Sequence, residues 1–408
     1  MIYKKSKNIY LDYAASTPLD QSIAKNMTDH ERKLYANASA IHSSGVRDSI
    51  AIENARSIIA NAIFAHSDEI IFTGSGTESD ALAILGSVHA YRNLHKQLKK
   101  AHVVTSSIEH PAVLENCKML EENGEADVTY VSIDEFGIVN TKEIKDAIQE
   151  NTVIVSIMYA NNEIGTVQPI MDIAKIIRHF RKNNNSKLPL FHSDACQAIN
   201  YLPIENIEKL GVDLLAFNSS KIYGPKGVGV LYKKRGINFA PLYRGGGQEQ
   251  GLRSGTENTS AILGLSEALI KASKIKDKEV VRLTHIRDYG IDRLLSLSEV
   301  SGYKIILNGD KVKRLPNNIN ISISGISSEL LVIELDAKGI QVSAKSACKS
   351  DEPDESYVIT ALRIAQGINS NGVEGSLRIS LGRATKKSDM DILATILGNI
   401  LDKYKKWK

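Results

Sequence analysis

The chain has 408 residues, of which 42% are hydrophobic and 24% are charged, and its formal net charge is +4. The length suits a large α/β domain with a smaller partner, or two medium domains, better than one small core. The composition excludes a largely disordered chain, no apolar run is long enough for a bilayer, and acidic and basic residues are well mixed. We therefore expect a globular protein that acts on a small molecule, without a direct nucleic-acid or membrane partner.

The cysteines indicate a reducing compartment. Cys117, Cys196 and Cys348 lie far apart and have the spacing of neither a zinc site nor a disulfide framework. Residues 1–10 contain lysines but no apolar core of a signal peptide. We expect a cytoplasmic protein with reduced thiols and no metal site.

Short β-rich apolar runs, each followed by a small or polar cluster, recur through the first two-thirds of the chain. They cover residues 69–73, 102–105, 152–158, 188–192 and 213–217. Strands that alternate with helical patterns predict an α/β fold with a mainly parallel sheet covered on both faces. Ligands bind beyond the carboxyl ends of such strands. The polar residues at those ends are Thr77, His110, Asn162, Asp194 and Lys221.

The pattern changes after about Ala261. Long charged helical stretches follow, such as residues 266–291, and then runs at 316–323 and 330–334 that indicate a strand and a helix. This change predicts a second domain.

The first two of these polar ends each allow a functional and a plain interpretation. The Gly-Ser-Gly-Thr-Glu-Ser sequence at 74–79 joins a strand to a helix, where free N–H groups and the helix dipole favour a phosphate, but a tight turn with a cap explains it nearly as well. His110 precedes Pro111 at a helix start. It could lie over a cofactor ring and shuttle protons, or simply bond a backbone carbonyl.

Lys221 and Asp194 together indicate the cofactor. Lys221 follows a strand and precedes the rigid sequence Ile-Tyr-Gly-Pro-Lys-Gly. A buried lysine there could form a Schiff base, although an ordinary surface lysine is the alternative. Asp194 ends an apolar strand with Gln197 close behind. It could keep the ring nitrogen of pyridoxal 5'-phosphate (PLP) protonated, or cap the next helix.

Cys348 has the setting of a nucleophile. It lies in a polar, small-residue segment between Lys345 and Lys349, whose charges favour its thiolate. Cys117 lies in a helical pattern and Cys196 at a helix start, so we interpret both as core residues.

Arg378 alternates with apolar residues on a predicted strand. An inward guanidinium there needs a planar anion, which could be a substrate carboxylate or the partner in a structural ion pair.

From the Tyr-Leu-Asp-Tyr-Ala-Ala-Ser-Thr-Pro sequence at 10–18 to Arg383, the chain resembles the NifS/IscS-type cysteine desulfurases of the class V aminotransferase superfamily. The motifs that carry the resemblance are Thr77-Glu-Ser79, Glu109-His110, Asn-Asn-Glu-Ile-Gly at 161–165, Asp194 with Gln197, Lys-Ile-Tyr-Gly-Pro-Lys-Gly at 221–227, Arg-Ser-Gly-Thr at 253–256 and Ser346-Ala-Cys348. The resemblance implies PLP fold type I, with a large PLP-binding domain at 15–277 and a smaller α+β domain, formed by 1–14 and 278–408, that carries the Cys348 loop.

The resemblance also implies a reaction. Lys221 would hold PLP and remove the Cα proton of L-cysteine, and the Cys348 thiolate would attack the substrate sulfur, which leaves alanine and a Cys348 persulfide. A homodimer would pass this sulfur to an acceptor protein, such as an iron–sulfur scaffold or a tRNA-thiolation protein. The alternatives are another class V PLP aminotransferase or lyase, and a degenerate scaffold that binds a sulfur acceptor.

The same resemblance assigns roles to the other residues of the site. In the cofactor site, Asp194 would pair with the ring nitrogen, Gln197 with the ring hydroxyl, His110 would stack on the ring, and Gly76 and Thr77 would hold the phosphate together with Thr256 of the partner subunit. Asn162 and Arg378 would hold the substrate, with Arg378 on its carboxylate and Asn162 also against the cofactor.

Two departures from the family's pattern lie near the chemistry. Asn218 and Ser220 stand where the family has serine and histidine before the lysine, so both can still donate to the phosphate, but the imidazole is lost and we predict weaker PLP retention. Lys345 stands where the family has glycine. A lysine restricts the backbone and adds charge, so we hypothesise a Cys348 loop that swings less but carries a more reactive thiol.

Overall fold

The computed structural model describes residues 8–96, 100–344, 356–368 and 374–405. The predictions for Cys348 and for its neighbours Lys345 and Lys349 lie outside the described residues. Within those ranges, no helix is both long and apolar enough to cross a membrane.

The helices of the described residues mostly alternate with strands through the first two-thirds of the chain and continue into the last third. They are α1 (Gln21–Lys33), α2 (Ser43–Ala62), α3 (Gly76–Leu94), α4 (Pro111–Glu122), α5 (Thr141–Ala147), α6 (Ile170–Asn183), α7 (Ile207–Leu210), α8 (Thr259–Leu295), α9 (Leu297–Ser301), α10 (Ser328–Asp336), α11 (Tyr357–Ala365) and α12 (Lys387–Lys405). The strands are β1 (Ile9–Tyr10), β2 (Ile70–Thr73), β3 (Ala101–Ser106), β4 (Ala126–Val131), β5 (Thr152–Ser156), β6 (Leu190–Asp194), β7 (Leu214–Asn218), β8 (Gly229–Lys233), β9 (Ile305–Leu307), β10 (Asn318–Ser324), β11 (Ile340–Gln341) and β12 (Glu374–Ser380).

Seven strands form the main sheet, in the order β2-β8-β7-β6-β5-β3-β4. The pairs from β7 to β4 are parallel, whereas β8 runs antiparallel to both of its neighbours. The α/β fold with a mainly parallel sheet is therefore confirmed, and the predicted strands correspond to β2, β3, β5, β6 and β7 to within two residues at each end. The sequence analysis missed β4 and β8.

Helices cover both faces of this sheet. Side chains next to each other on a strand point to opposite faces. Val103 belongs to the same core cluster as Leu82 and Val88 of α3, whereas Val104 belongs to the cluster that contains Ile59 of α2. Both faces are thus apolar, which leaves the strand ends as the place where polar side chains converge.

A second core forms around the sheet β12-β10-β9, whose pairs are antiparallel. The long helix α8 joins the two cores, because residues from Ala261 to Ala272 pack in the first and residues from Leu283 to Leu294 pack in the second. The start of the chain reaches this second region, where β1 pairs with β11 and Asp12 bridges to Ser380. The predicted domain boundary at residue 277 stays a prediction.

Candidate active site

A cleft of about 140 Å³ lies at the carboxyl ends of the parallel strands and is closed by residues from outside the main sheet. The predicted site residues that line it are Gly76, Thr77, His110, Asn162, Asp194, Gln197, Asn218, Lys221 and Arg378. Ser220 and Thr256 are not among its lining residues, and Cys348 lies outside the described part of the chain.

The turn before α3 forms a cradle for an anion. Ser75 caps the helix through its Oγ, which accepts from the N–H of Glu78 at 3.1 Å. A Cβ on Gly76 would lie 2.7 Å from Cys196 Sγ and 2.9 Å from Asn218 Nδ2, so the close approach requires glycine. A helix supplies no acceptor for its first N–H groups, and its dipole is positive there. This turn therefore suits a phosphate, with the Asn218 amide beside it.

Lys221 lies at the end of a 3₁₀ turn that follows β7. Its Nζ donates to the carbonyl oxygens of Ala14 at 2.8 Å and Ala15 at 2.7 Å. Gln197 Nε2 donates to the same Ala14 carbonyl at 2.9 Å. The N-terminal segment therefore closes the cleft over the lysine, a contact that only the folded chain reveals.

Asp194 ends β6, is 8% exposed, and accepts the N–H of Cys196 at 2.8 Å. Its carboxylate thus caps a turn at 196–200 rather than the helix that the plain interpretation predicted, and it also lines the cleft.

Two further carboxyl groups, to which the sequence analysis assigned no role, lie buried near Asp194. Asp80 lines the cleft from α3 and is 1% exposed, and Glu109 is fully buried. Glu109 accepts from Ser106 Oγ at 2.6 Å and from the N–H of Met158 at 2.9 Å. Burial raises the pKa of Glu109 to about 8, and the charge of Asp194 adds to the rise. Burial also raises the pKa of Asp80 well above its usual range, with further contributions from Asp194 and Glu109.

His192 is the fully buried neighbour of Asp80. Its Nδ1 lies 2.9 Å from Ser156 Oγ, and its Nε2 lies 3.5 Å from Asp80 Oδ1. Burial lowers the pKa of His192 to about 4, against the opposing charge of Asp194. Burial thus favours the neutral form of both groups, and neither Asp80 Oδ1 nor His192 Nε2 has a hydrogen-bond partner among the described residues.

His110 caps α4 from the cleft. Its Nδ1 accepts the N–H of Ala112 at 3.1 Å, so a neutral ring carries its proton on Nε2. Burial lowers the pKa of His110; Asp194 opposes this shift, and Lys221 and Arg378 add to it. The ring is therefore a neutral Nε2–H donor at neutral pH.

Arg378 on β12 is 1% exposed. Its Nη2 donates to Asp12 Oδ1 at 2.8 Å and its Nη1 to the Asn162 carbonyl at 3.3 Å. The structural ion pair, one of the two alternatives for this arginine, is thus present, with a partner that the sequence analysis did not identify. Among the described residues, the buried Arg378 Nε and Asn162 Oδ1 have no hydrogen-bond partner.

The two described thiols are protonated. Cys117 is fully buried in a core cluster, as predicted, and burial raises its pKa. Cys196 is 8% exposed, and burial raises its pKa as well. Cys196 also forms part of the cleft wall, so its interpretation as a plain core residue was incomplete.

Ser220 and Thr256 do not contribute to the cleft of this chain. Ser220 Oγ donates to Asn218 Oδ1 at 3.3 Å, and Thr256 is exposed in a glycine-rich segment. The proposed phosphate contact of Ser220 would therefore need a different side-chain orientation.

Comparisons with known proteins identify the family of this chain. The family model Aminotransferase class-V matches residues 9–393. The chain is 40% identical to Cysteine desulfurase IscS of Dictyoglomus turgidum over 399 residues, and this match covers 98% of this chain and 96% of that relative. A solved NifS-like protein has a TM-score of 0.85 at 31% identity and covers 97% of this chain and 99% of that chain. SspA, solved in complex with cysteine, has a TM-score of 0.73 at 31% identity and covers 91% of this chain and 98% of that chain. The chain belongs to the NifS/IscS-type cysteine desulfurases of the class V aminotransferase family.

Proposed function

We propose that the protein is a PLP-dependent cysteine desulfurase that converts L-cysteine to L-alanine and leaves the sulfur as a persulfide on Cys348. The observation that carries the proposal is the convergence of Lys221, Asp194 and His110 with the Gly76 turn in one cleft. The names of the relatives support the reaction, and the solved complex of SspA with cysteine supports the substrate.

The cleft fits PLP at both ends. The turn at Gly76 and Thr77, with the Asn218 amide beside it, would hold the phosphate, and the Asp194 carboxylate would face the ring nitrogen. Gln197 would bind the ring hydroxyl, and Lys221 would hold the cofactor covalently. When bound, PLP supplies an electron sink for the bonds of the substrate Cα.

Two side chains would move protons. Lys221 Nζ would take the Cα proton of the substrate, since it lies in the cleft, where the carbonyl oxygens of Ala14 and Ala15 orient it. His110 would donate or accept a proton at Nε2, because Nδ1 is occupied by the α4 cap.

Arg378 and Asn162 would bind the substrate. The unpartnered Arg378 Nε suits a carboxylate, and the unpartnered Asn162 Oδ1 suits an amino group. Asp12 would hold the guanidinium in place through Nη2.

Cys348 would be the sulfur acceptor within the chain. Its thiolate attacks the substrate sulfur, a new S–S bond forms, the C–S bond of the substrate breaks, and a proton completes the methyl group of alanine. Burial raises the pKa of Cys117 and Cys196, which leaves them poor nucleophiles. The lysines that flank Cys348 in sequence favour its thiolate.

We further propose a cytoplasmic homodimer with the large domain at 15–277 and the small domain at 1–14 and 278–408. Thr256 of the partner subunit would complete the phosphate site, which is consistent with its exposure and with its not lining the cleft of its own chain. An iron–sulfur scaffold or a tRNA-thiolation protein would receive the persulfide sulfur.

The test is product analysis with L-cysteine. We expect alanine, sulfide that a reductant releases from the protein, and the added mass of sulfur on Cys348. Cys348→Ala should lose the sulfide and keep the visible absorbance of bound PLP, whereas Cys117→Ala should keep both products. Amino-group transfer without sulfide would favour another class V enzyme. A protein without PLP absorbance, even after PLP is added, would favour the scaffold.

A further inference from the structure

The glycine-rich segment, residues 245–257, is attached to the strand that leads into the phosphate cradle. Glu249 lies in this segment, and its carboxylate is 1% exposed. It accepts from Arg56 Nη1 and Nη2, both at 2.7 Å, and from the N–H of Phe72, also at 2.7 Å. Arg56 Nη1 also donates to the Ile70 carbonyl at 2.8 Å. Both Phe72 and Ile70 belong to β2.

These contacts take the place of a neighbouring strand. β2 is the terminal strand of the main sheet, and an edge strand presents N–H and C=O groups without a ladder partner. Glu249 accepts the N–H of Phe72, and Arg56 donates to the carbonyl of Ile70. Both bonds are charge-assisted and therefore stronger than neutral ones. β2 ends at Thr73, immediately before the cradle.

The backbone at Glu249 shows that this attachment is specific. Glu249 and Gln250 have φ values of +47° and +61°, in the left-handed region that disfavours residues other than glycine. Such strain persists when the surrounding contacts determine the conformation. The buried Arg56 pair supplies those contacts for Glu249.

A second carboxylate attaches the segment to the cradle itself. Glu78 Oε2 accepts the N–H of Gly74 at 2.7 Å, and Glu78 Oε1 accepts from Arg253 Nε at 2.9 Å. Glu78 thereby occupies the N–H before the cradle and ties the turn to the segment. The segment is fixed on both sides of the turn, at Phe72 and at Gly74.

We infer that Glu249 and Glu78 are positioning residues that hold the phosphate cradle in its binding conformation. This inference rests on the proposed PLP function. Neither carboxylate would contact the cofactor. Both hold the turn that would bind the phosphate, so we expect their effect to be confined to the phosphate end of the cofactor. Loss of either contact should let the turn shift, and a small misplacement of binding groups is costly.

The test compares PLP with pyridoxal, which lacks the phosphate, as ligands of the full-length apoenzyme. We expect Glu249→Gln to raise the dissociation constant of PLP about tenfold and to leave that of pyridoxal unchanged. Glu53→Gln is the matched control, since Glu53 also binds Arg56, at 3.0 Å, but its side chain is 59% exposed. Glu78→Gln provides a second variant with a carboxylate 21% exposed, in case the buried substitution prevents folding.

Equal PLP affinity in wild type and both variants would overturn the inference. A parallel loss of PLP and pyridoxal affinity would overturn it too, because it would indicate general damage to the cleft. Wild-type apoenzyme that binds neither ligand would overturn the proposed function, and this inference with it.

Discussion

Asp80 is a carboxyl group in the wall of the cleft, with His192 Nε2 3.5 Å away and the carboxylate of Asp194 nearby. Because burial raises its pKa above the unfolded value, its protonated form is favoured in the folded state. The stability that this form contributes is present below about pH 4 and is lost as the pH rises toward the folded pKa. As the pH rises above about 4, ionisation of Asp80 in the unfolded state therefore lowers the stability of the wild type.

Asp80→Asn removes this cost. We expect the unfolding constant of the wild type to rise relative to that of Asp80→Asn by up to about tenfold per pH unit between pH 5 and pH 7. Urea unfolding of the apoenzyme at three pH values measures the difference. Asp68→Asn is the control, since Arg235 lowers the pKa of this exposed carboxylate and it is ionised in both states above pH 5. A pH-independent difference for Asp80→Asn would contradict the proposed protonation.

Substitutions at Asn218 and Ser220 test the prediction that this protein retains PLP weakly. Asn218 Nδ2 faces the cradle, but Ser220 Oγ donates to Asn218 instead of lining the cleft. A histidine at 220 would add a donor that can reach the phosphate. We expect Asn218→Ser with Ser220→His to bind PLP about tenfold more tightly than the wild type, the value of one charge-assisted hydrogen bond. Spectral titration of the apoenzyme checks this, with Asn218→Ser alone as the control, and equal affinity of wild type and double variant would refute it.

At the scale of elements, His110 shows that one side chain has a structural and a chemical role. As the cap of α4 it accepts the Ala112 N–H through Nδ1, and asparagine caps helices well whereas alanine does not. We expect His110→Ala to lose about 1 kcal/mol of unfolding free energy and His110→Asn to lose much less. Both variants should form alanine slowly. Urea unfolding and alanine release separate the two roles, and an equal loss of stability in the two variants would exclude the cap.

The elements also show where sequence patterns are sufficient. The five strands found from sequence contribute to the apolar core on both faces of the sheet, so each is a short apolar run with a polar end. β4 was missed because it lies at the sheet edge, where its central residues are partly exposed and polar residues interrupt the apolar run. β8 was missed because it follows β7 without an intervening α-helix and runs antiparallel, which breaks the alternation on which the prediction depended.

At the scale of the whole molecule, the assignment of Thr256 to the partner subunit can be tested in mixed dimers. In one dimer, Lys221→Ala and Thr256→Asp lie in the same chain, so the intact Lys221 site faces the substituted Thr256 of the partner subunit. In the other dimer the two substitutions lie in different chains, and the intact Lys221 site faces an unchanged partner. A carboxylate beside a phosphate is repelled, so we expect the first dimer to bind PLP about tenfold more weakly than the second.

Spectral titration of both purified mixed dimers gives the comparison, and the wild-type dimer is the reference. Weak binding in the second dimer with normal binding in the first would place Thr256 in the site of its own chain. Equal binding in the two dimers would remove Thr256 from the phosphate site.

The sequence by itself determined the fold class, the family and the residues at the strand ends, because the order of apolar runs and polar ends follows from local periodicity and from motifs contiguous in the chain. Only the tertiary structure decided the partners of those residues. Asp12 lies far along the chain from Arg378, Asp80 approaches His192 from another element, and Glu249 reaches β2 from the glycine-rich segment. Such contacts depend on how elements pack and on burial, which also sets the charge of Asp80 and Glu109, and neither packing nor desolvation can be read from a single stretch of sequence.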